Sequence, residues 1–226
     1  MRKGAIDSQM IRYGFTGKRK SALRIMFLGA HCDDIEIGCG GTILKLIKEY
    51  DHAVFHWIVF SSDPSRADEA RASADLFLKG AKEKTIVIKD FRNGYFPYVG
   101  GEIKDYFEHL KTAVEPDIIF THYRDDRHQD HRLISDLTWN TYRNHHILEY
   151  EIVKYDGDMS SPNFYVGLDS GTCHKKIKYI IDSFRSQRDK NWFAEDAFLS
   201  IMRIRGIESN APGKFAEGYF CRKILF

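Results

Sequence analysis

Apolar runs that end in polar clusters, alternating with segments of helical period, organise most of this chain. Leu23 to Leu28 is a continuous apolar run apart from Arg24, the pattern of a buried strand, and it leads into Gly29-Ala30-His31-Cys32-Asp33-Asp34. The pattern predicts strands over Leu23–Gly29, Ala53–Phe60, Thr85–Ile88 and Asp117–Thr121. Between and after them it predicts helices over Gly41–Tyr50, Arg66–Lys79, Gly101–Val114 and His131–Asn144. Pro116 bars the third helix from continuing into the fourth strand. Beyond residue 145 the pattern is less regular. Leu148–Tyr155 reads as strand, Asn163–Thr172 as a loop or an edge element, Lys175–Arg188 and Trp192–Arg205 as helices, and Gly218–Leu225 as a closing strand. Strand and helix in strict alternation call for parallel strands joined by helical crossovers, an α/β fold of three layers.

The 226 residues, 43% of them hydrophobic, suit one large domain. It is expected over 23–226, preceded by an N-terminal extension, 1–22, in which Lys18-Arg19-Lys20 reads as a solvated arm. No internal repeat or linker divides it. A net charge of +2 gives no electrostatic case for nucleic acid. No apolar run reaches the roughly 20 residues of a transmembrane helix, and the first 17 residues lack the apolar core of a signal peptide. The cysteines, Cys32, Cys39, Cys173 and Cys221, show no C-x-x-C spacing. That argues against a zinc knuckle or a disulfide framework and makes a reduced, cytoplasmic setting the expectation.

Two polar clusters carry the chemistry. The first is His31-Cys32-Asp33-Asp34-Ile35-Glu36; the second is Thr121 to Arg132, directly after the buried strand Ile118–Phe120. Both sit at carboxyl ends of predicted parallel strands, before a helix begins, where α/β sheets bind ligands. His31 and Asp34 with a histidine from the second cluster would make the three protein ligands of an open catalytic zinc site. Asp33, beside a ligand and not needed as one, is the candidate general base. His128, in protonated form, would stabilise an oxyanion, with Asp130 holding its ring. His122, Asp125 and Asp126 are placed on the rim of the second loop. Gly38-Cys39-Gly40-Gly41 fails the dinucleotide fingerprint, since Ile43 stands where the third glycine is needed. Ser186 is expected mid-helix, without a nucleophile elbow.

These motifs resemble the PIG-L/LmbE-like deacetylases. His31-Cys32-Asp33-Asp34 matches a family signature whose usual form is His-Pro-Asp-Asp, and His128-Gln129-Asp130-His131 matches its His-x-Asp-His element. Arg66-Ala67-Asp68-Glu69, Ser186-Gln187, Arg203-Ile204-Arg205-Gly206 and Ala216-Glu217-Gly218-Tyr219 resemble further landmarks. The resemblance implies a Rossmann-like sheet flanked by helices, and one Zn2+ per chain on His31, Asp34 and His131. It places the general base on Asp33, the oxyanion histidine on His128 and that histidine's partner on Asp130. Arg66 matches a position that binds the sugar or its appended group, although a surface ion pair with Asp68 or Glu69 would explain it equally. The implied activity is removal of the N-acetyl group from an N-acetylglucosamine-type conjugate. The alternatives are an amidase for larger acyl groups and a silent metal- or sugar-binding homologue. Cys32 departs from the family pattern by replacing proline, which puts a thiol near the expected metal.

Overall fold

The computed structural model describes Gly14 and residues 22–225; the expected extension, with Lys18-Arg19-Lys20, lies almost wholly outside the described residues. Seven strands form one sheet: β1 (Arg24–Gly29), β2 (Val54–Val59), β3 (Glu83–Ile88), β4 (Ile118–His122), β5 (His146–Tyr150), β6 (Phe164–Leu168) and β7 (Phe215–Cys221). Their order across the sheet is β3-β2-β1-β4-β5-β7-β6. The first five pair in parallel, and β7 runs antiparallel to both β5 and β6. Among the described residues there are six α-helices: α1 (Asp34–Glu49), α2 (Pro64–Phe77), α3 (Gly100–Ala113), α4 (Gln129–Thr141), α5 (Ser170–Ser183) and α6 (Glu195–Glu208). Short 3-10 turns cover Phe96–Tyr98 and Arg185–Gln187.

The period-2 alternation of β1 sorts its side chains into two cores. Ile25 and Phe27 pack with Ile43 of α1, Phe77 of α2, Ile177 of α5 and Met202 of α6. Met26 and Leu28 pack with Phe107 of α3 and Ile134 of α4 on the other face. This is the expected three-layer, mainly parallel α/β fold. Connections from β1 run outward through β2 to β3, and those from β4 run the opposite way to β5. The carboxyl ends of the adjacent strands β1 and β4 therefore flank the point where strand order reverses, the place where open α/β sheets form their ligand crevice.

Several boundaries differ from expectation for local reasons. Helix α1 starts at Asp34, not Gly41, so Asp34 and Glu36 lie within its first turn and Asp33 is its N-cap. The glycine run falls inside the helix, which kinks at Cys39 (φ −142°, ψ 16°). A Cβ on Gly38 would stand 2.2 Å from the Tyr150 ring, so glycine lets α1 lie directly on the sheet. Helix α5 begins at Ser170 because the Asp169 carboxylate accepts the Thr172 amide as an N-cap, and this leaves β6 as a true edge strand within 163–172. Ser186 lies in a 3-10 turn after α5, where its hydroxyl donates to Glu69 at 2.6 Å.

Candidate metal centre

The crevice is built by residues that leave β1 and β4. After β1 the chain turns through His31, Cys32 and Asp33 into α1, which sets Asp34 in the first helical turn. The Asp34 carboxylate accepts the His31 amide at 2.6 Å, closing that turn. Strand β4 ends on His122, and Asp126 then receives the His128 amide at 2.7 Å before α4 carries Asp130 and His131 inward. His31, Asp33, Asp34, His122, Asp126, Asp130 and His131 are all buried, although the sequence offers little apolar material here.

The donor atoms of His31, Asp34 and His131 converge. His31 Nδ1 lies 3.1 Å from His131 Nε2 and 3.4 Å from Asp34 Oδ2, and His131 Nε2 lies 3.5 Å from Asp34 Oδ1. A tetrahedral site with bonds of about 2.0–2.1 Å has donors about 3.3 Å apart; the His31 Nδ1–His131 Nε2 spacing suits a zinc-sized divalent ion, and each of these nitrogens meets a different oxygen of the Asp34 carboxylate. Two compact donor groups overlap at His131, one with His31 and His128, the other with Asp34 and His122; the expected set draws on both. His122 is less suited to ligation, because its Nε2 accepts the Ala30 amide at 2.9 Å.

Each histidine of the set has a carboxylate on its far nitrogen. Asp130 Oδ2 is 3.1 Å from His31 Nε2, and Asp126 Oδ2 is 3.0 Å from His131 Nδ1. This arrangement fixes tautomer and ring orientation in metal-binding histidines. The pairing differs from the expected one. The Asp130 side chain faces His31, and His128 instead accepts the Asp130 backbone amide on Nδ1 at 3.2 Å. The physical reason is the helix start: His128 caps α4, so its ring folds back on the helix's own amide while the Asp130 carboxylate points across the crevice. Lys154 in turn lies 3.0 Å from Asp126 and balances its charge.

Electrostatics follow from burial and these contacts. Burial disfavours charge on His31, but Asp34 and Asp130 outweigh it and raise the imidazole to about 9. Burial and His122 lower His131 to about 3 against the pull of Asp34 and Asp126. Burial also opposes ionisation of Asp34, yet the surrounding His131, His122 and His31 hold it well below the usual carboxylate range. Asp33 is pushed up by burial and by Asp34, with Arg66 partly compensating. Two adjacent carboxylates thus shift in opposite directions, the pattern of groups with different roles. His128 is lowered, by burial and by His31.

The remaining expected residues are placed as follows. Arg66 Nη2 lies 3.4 Å from Asp33 Oδ1, and its ion pair is with neither Asp68 nor Glu69. Asp125 is on the rim, where its carboxylate pairs with Arg222. His122 and Asp126 were expected there and are instead interior: His122 stacks on His131 with ring centroids 4.0 Å apart. The signal for His122 was its position directly after the apolar strand. Cys32 Sγ donates to Ser61 O at 3.4 Å and belongs to neither donor group.

Comparison with known proteins matches this architecture. A conserved protein of Thermus thermophilus superposes with a TM-score of 0.72 at 19% identity, over 90% of this chain and 97% of that one. The N,N'-diacetylchitobiose deacetylase of Pyrococcus horikoshii superposes with 0.67 at 21% identity, over 89% and 84%. A 4-carboxy-2-hydroxymuconate hydratase of Pseudomonas putida superposes with 0.71 at 14% identity, over 90% and 98%. At these identities the likeness establishes the fold alone. The family model described as GlcNAc-PI de-N-acetylase matches residues 26–142, a span that holds both polar clusters and the whole carboxylate–histidine arrangement. This chain belongs to the PIG-L family.

Proposed function

We propose that this protein is a metal-dependent N-deacetylase that hydrolyses the acetamide of an N-acetylated amino-sugar conjugate, leaving acetate and a free amine. The observation that carries this reading is the pair of buried carboxylate–histidine couples, Asp130–His31 and Asp126–His131, aimed at a common point beside Asp34. His31, Asp34 and His131 would hold the ion, zinc by donor set. Such an ion supplies Lewis acidity, polarising a carbonyl and making a water acidic near neutral pH.

The chain's own residues supply the proton handling. Asp33 is next to a proposed ligand and belongs to neither donor group, and its raised affinity for a proton suits a base that takes one from the attacking water and passes it to the leaving nitrogen. Arg66, 3.4 Å away, steadies the Asp33 carboxylate, and the family resemblance supports a contact from it to the sugar or its appended group. His128 accepts the Asp130 amide on Nδ1, which leaves the proton of the neutral ring on Nε2. It can therefore donate a hydrogen bond to the developing oxyanion as a neutral imidazole, a change from the protonated role inferred from sequence.

The test is acetate release from a panel of N-acetylhexosamine conjugates by the metal-loaded protein, beside Asp33→Asn. The variant is expected to keep its metal and to lose at least about 100-fold in turnover, the scale of general-base catalysis. Full activity in Asp33→Asn would sink the mechanism. Absence of acetate from every conjugate, with longer acyl groups released instead, would replace deacetylation by cleavage of larger amides.

A further inference from the structure

The segment between β3 and α3 crosses the sheet edge to reach the crevice. Phe91 N donates to Phe60 O at 3.1 Å, and Phe96 buries its ring 6.0 Å from that of His31. The Asp130 carboxylate accepts Gly94 N at 2.6 Å and Phe96 N at 3.1 Å, so the group that orients His31 also clamps this segment. Gly94 has φ +77°, a left-handed conformation that suits glycine, and it turns its amide toward Asp130. Tyr95 stands between the two clamped amides and Tyr98 follows one turn later. They are 41% and 78% exposed, with ring centroids 5.8 Å apart and tilted by 54°. The Arg92 guanidinium lies against Tyr95, 3.5 Å from its ring centroid.

We propose that Tyr95, Tyr98 and Arg92 form a second sugar subsite, which holds the ring next to the N-acetylated one and makes a glycoside of two or more sugars the preferred substrate class. The inference rests on the deacetylase reading for what sits over Asp33, and on the rim itself for the neighbouring ring. Exposed aromatic rings carried by a clamped segment beside a reaction centre offer faces for the apolar C–H face of a pyranose, while phenol and guanidinium edges meet its hydroxyls. A lipid chain would call for an aliphatic trough, and this rim presents phenols and a guanidinium. Arg92 sits over the Tyr95 ring, which keeps its donors at the rim. The rest of the segment is fixed by Asp130, Phe60 and His31, so ordering the rim costs little on binding.

The experiment titrates metal-loaded Asp33→Asn, which should not consume ligand, with N-acetylglucosamine and with its β-1,4-linked di-N-acetylated disaccharide, followed by calorimetry or NMR. The disaccharide is expected to bind about tenfold more tightly. Tyr98→Ala, at a residue exposed enough to spare the fold, should remove about fivefold of that margin, and Tyr98→Phe should retain most of it. Monosaccharide affinity should move less than about twofold in both variants. Equal affinity for the two sugars, equal losses for both in Tyr98→Ala, or no binding of either would overturn the subsite. Tight disaccharide binding with no acetate release by the unmutated enzyme would leave the subsite standing and remove the deacetylase reading instead.

Discussion

Asp130 and His31 are 99 positions apart in the chain, yet the carboxylate of one lies 3.1 Å from Nε2 of the other, and this contact joins the two motifs into one centre. The same carboxylate accepts the amides of Gly94 and Phe96, so it is fixed before any ligand arrives. Asp130→Asn should weaken metal affinity by about 10–100-fold, the usual effect of losing an orienting carboxylate behind a histidine ligand. A chelator-competition titration reads this directly, with circular dichroism to show that the variant is folded. Unchanged affinity would mean that Asp130 serves the loop and not the metal.

The parts of the fold driven by burial were legible in the sequence, and the parts driven by individual polar contacts were not. Ile25 to Leu28 and Ile118 to Phe120 read as strands because every residue faces one core or the other. Helix α1 was read too short because glycines usually end helices, whereas Gly38 is set into α1 by the Tyr150 ring beneath it. His31, Asp33, Asp34 and the His128–His131 segment stood out by spacing. The partner of each carboxylate did not, because pairing depends on which way a helix start turns its side chains. Asp125 and Asp126 are the same residue type side by side, and only Asp126 is turned inward to His131. A loop without hydrophobic period gives no clue to that choice.

Cys32 stands where the usual form of the signature it resembles has proline; its thiol donates to the Ser61 carbonyl and belongs to neither donor group. Burial raises the thiol to about 11, so it is largely protonated near neutral pH. Cys32→Pro is expected to retain metal binding and turnover within about threefold, because no donor to the metal is lost and proline stiffens the same turn. Loss of the metal in this variant would count against the assignment. In the unmutated protein Cys32 should resist alkylation at pH 7 until the chain is unfolded, as mass spectrometry of the labelled peptides would show.

His56 on β2 gives a pH dependence that is independent of the metal centre. Burial, with the nearby Arg24 charge, lowers its pKa below the usual 6.5. As pH falls through 6.5 the unfolded chain binds a proton at His56 that the folded chain still refuses. Its contribution to stability is therefore complete above 6.5, is lost progressively below it, and changes no further once pH is under the folded value. Urea midpoints at pH 7.5 and pH 5 should fall further in the unmutated protein than in His56→Gln. Parallel losses in the two proteins would rule out His56 as the source.

The kink in α1 exposes backbone groups that a buried ion pair takes up. Lys176 of α5 donates to Ile37 O at 2.7 Å and to Glu217 at 2.6 Å. Glu217 of β7 accepts the amides of Gly41 and Thr42 at 2.8 and 2.7 Å. Both side chains are at most 4% exposed, so neither charge has water as an alternative partner. Lys176→Met strands the Glu217 charge and leaves the Ile37 carbonyl bare, which should cost about 3–5 kcal/mol. Adding Glu217→Gln removes the stranded charge, and the double variant should be less destabilised than the sum of the two singles. Urea unfolding of the four proteins gives the coupling energy. Because the clip holds the half-helix that begins with Asp34, Lys176→Met should also weaken metal affinity while the protein is still folded. Additive losses, or an unaltered metal affinity in the folded variant, would reduce Lys176 and Glu217 to a stabilising pair with no part in placing Asp34.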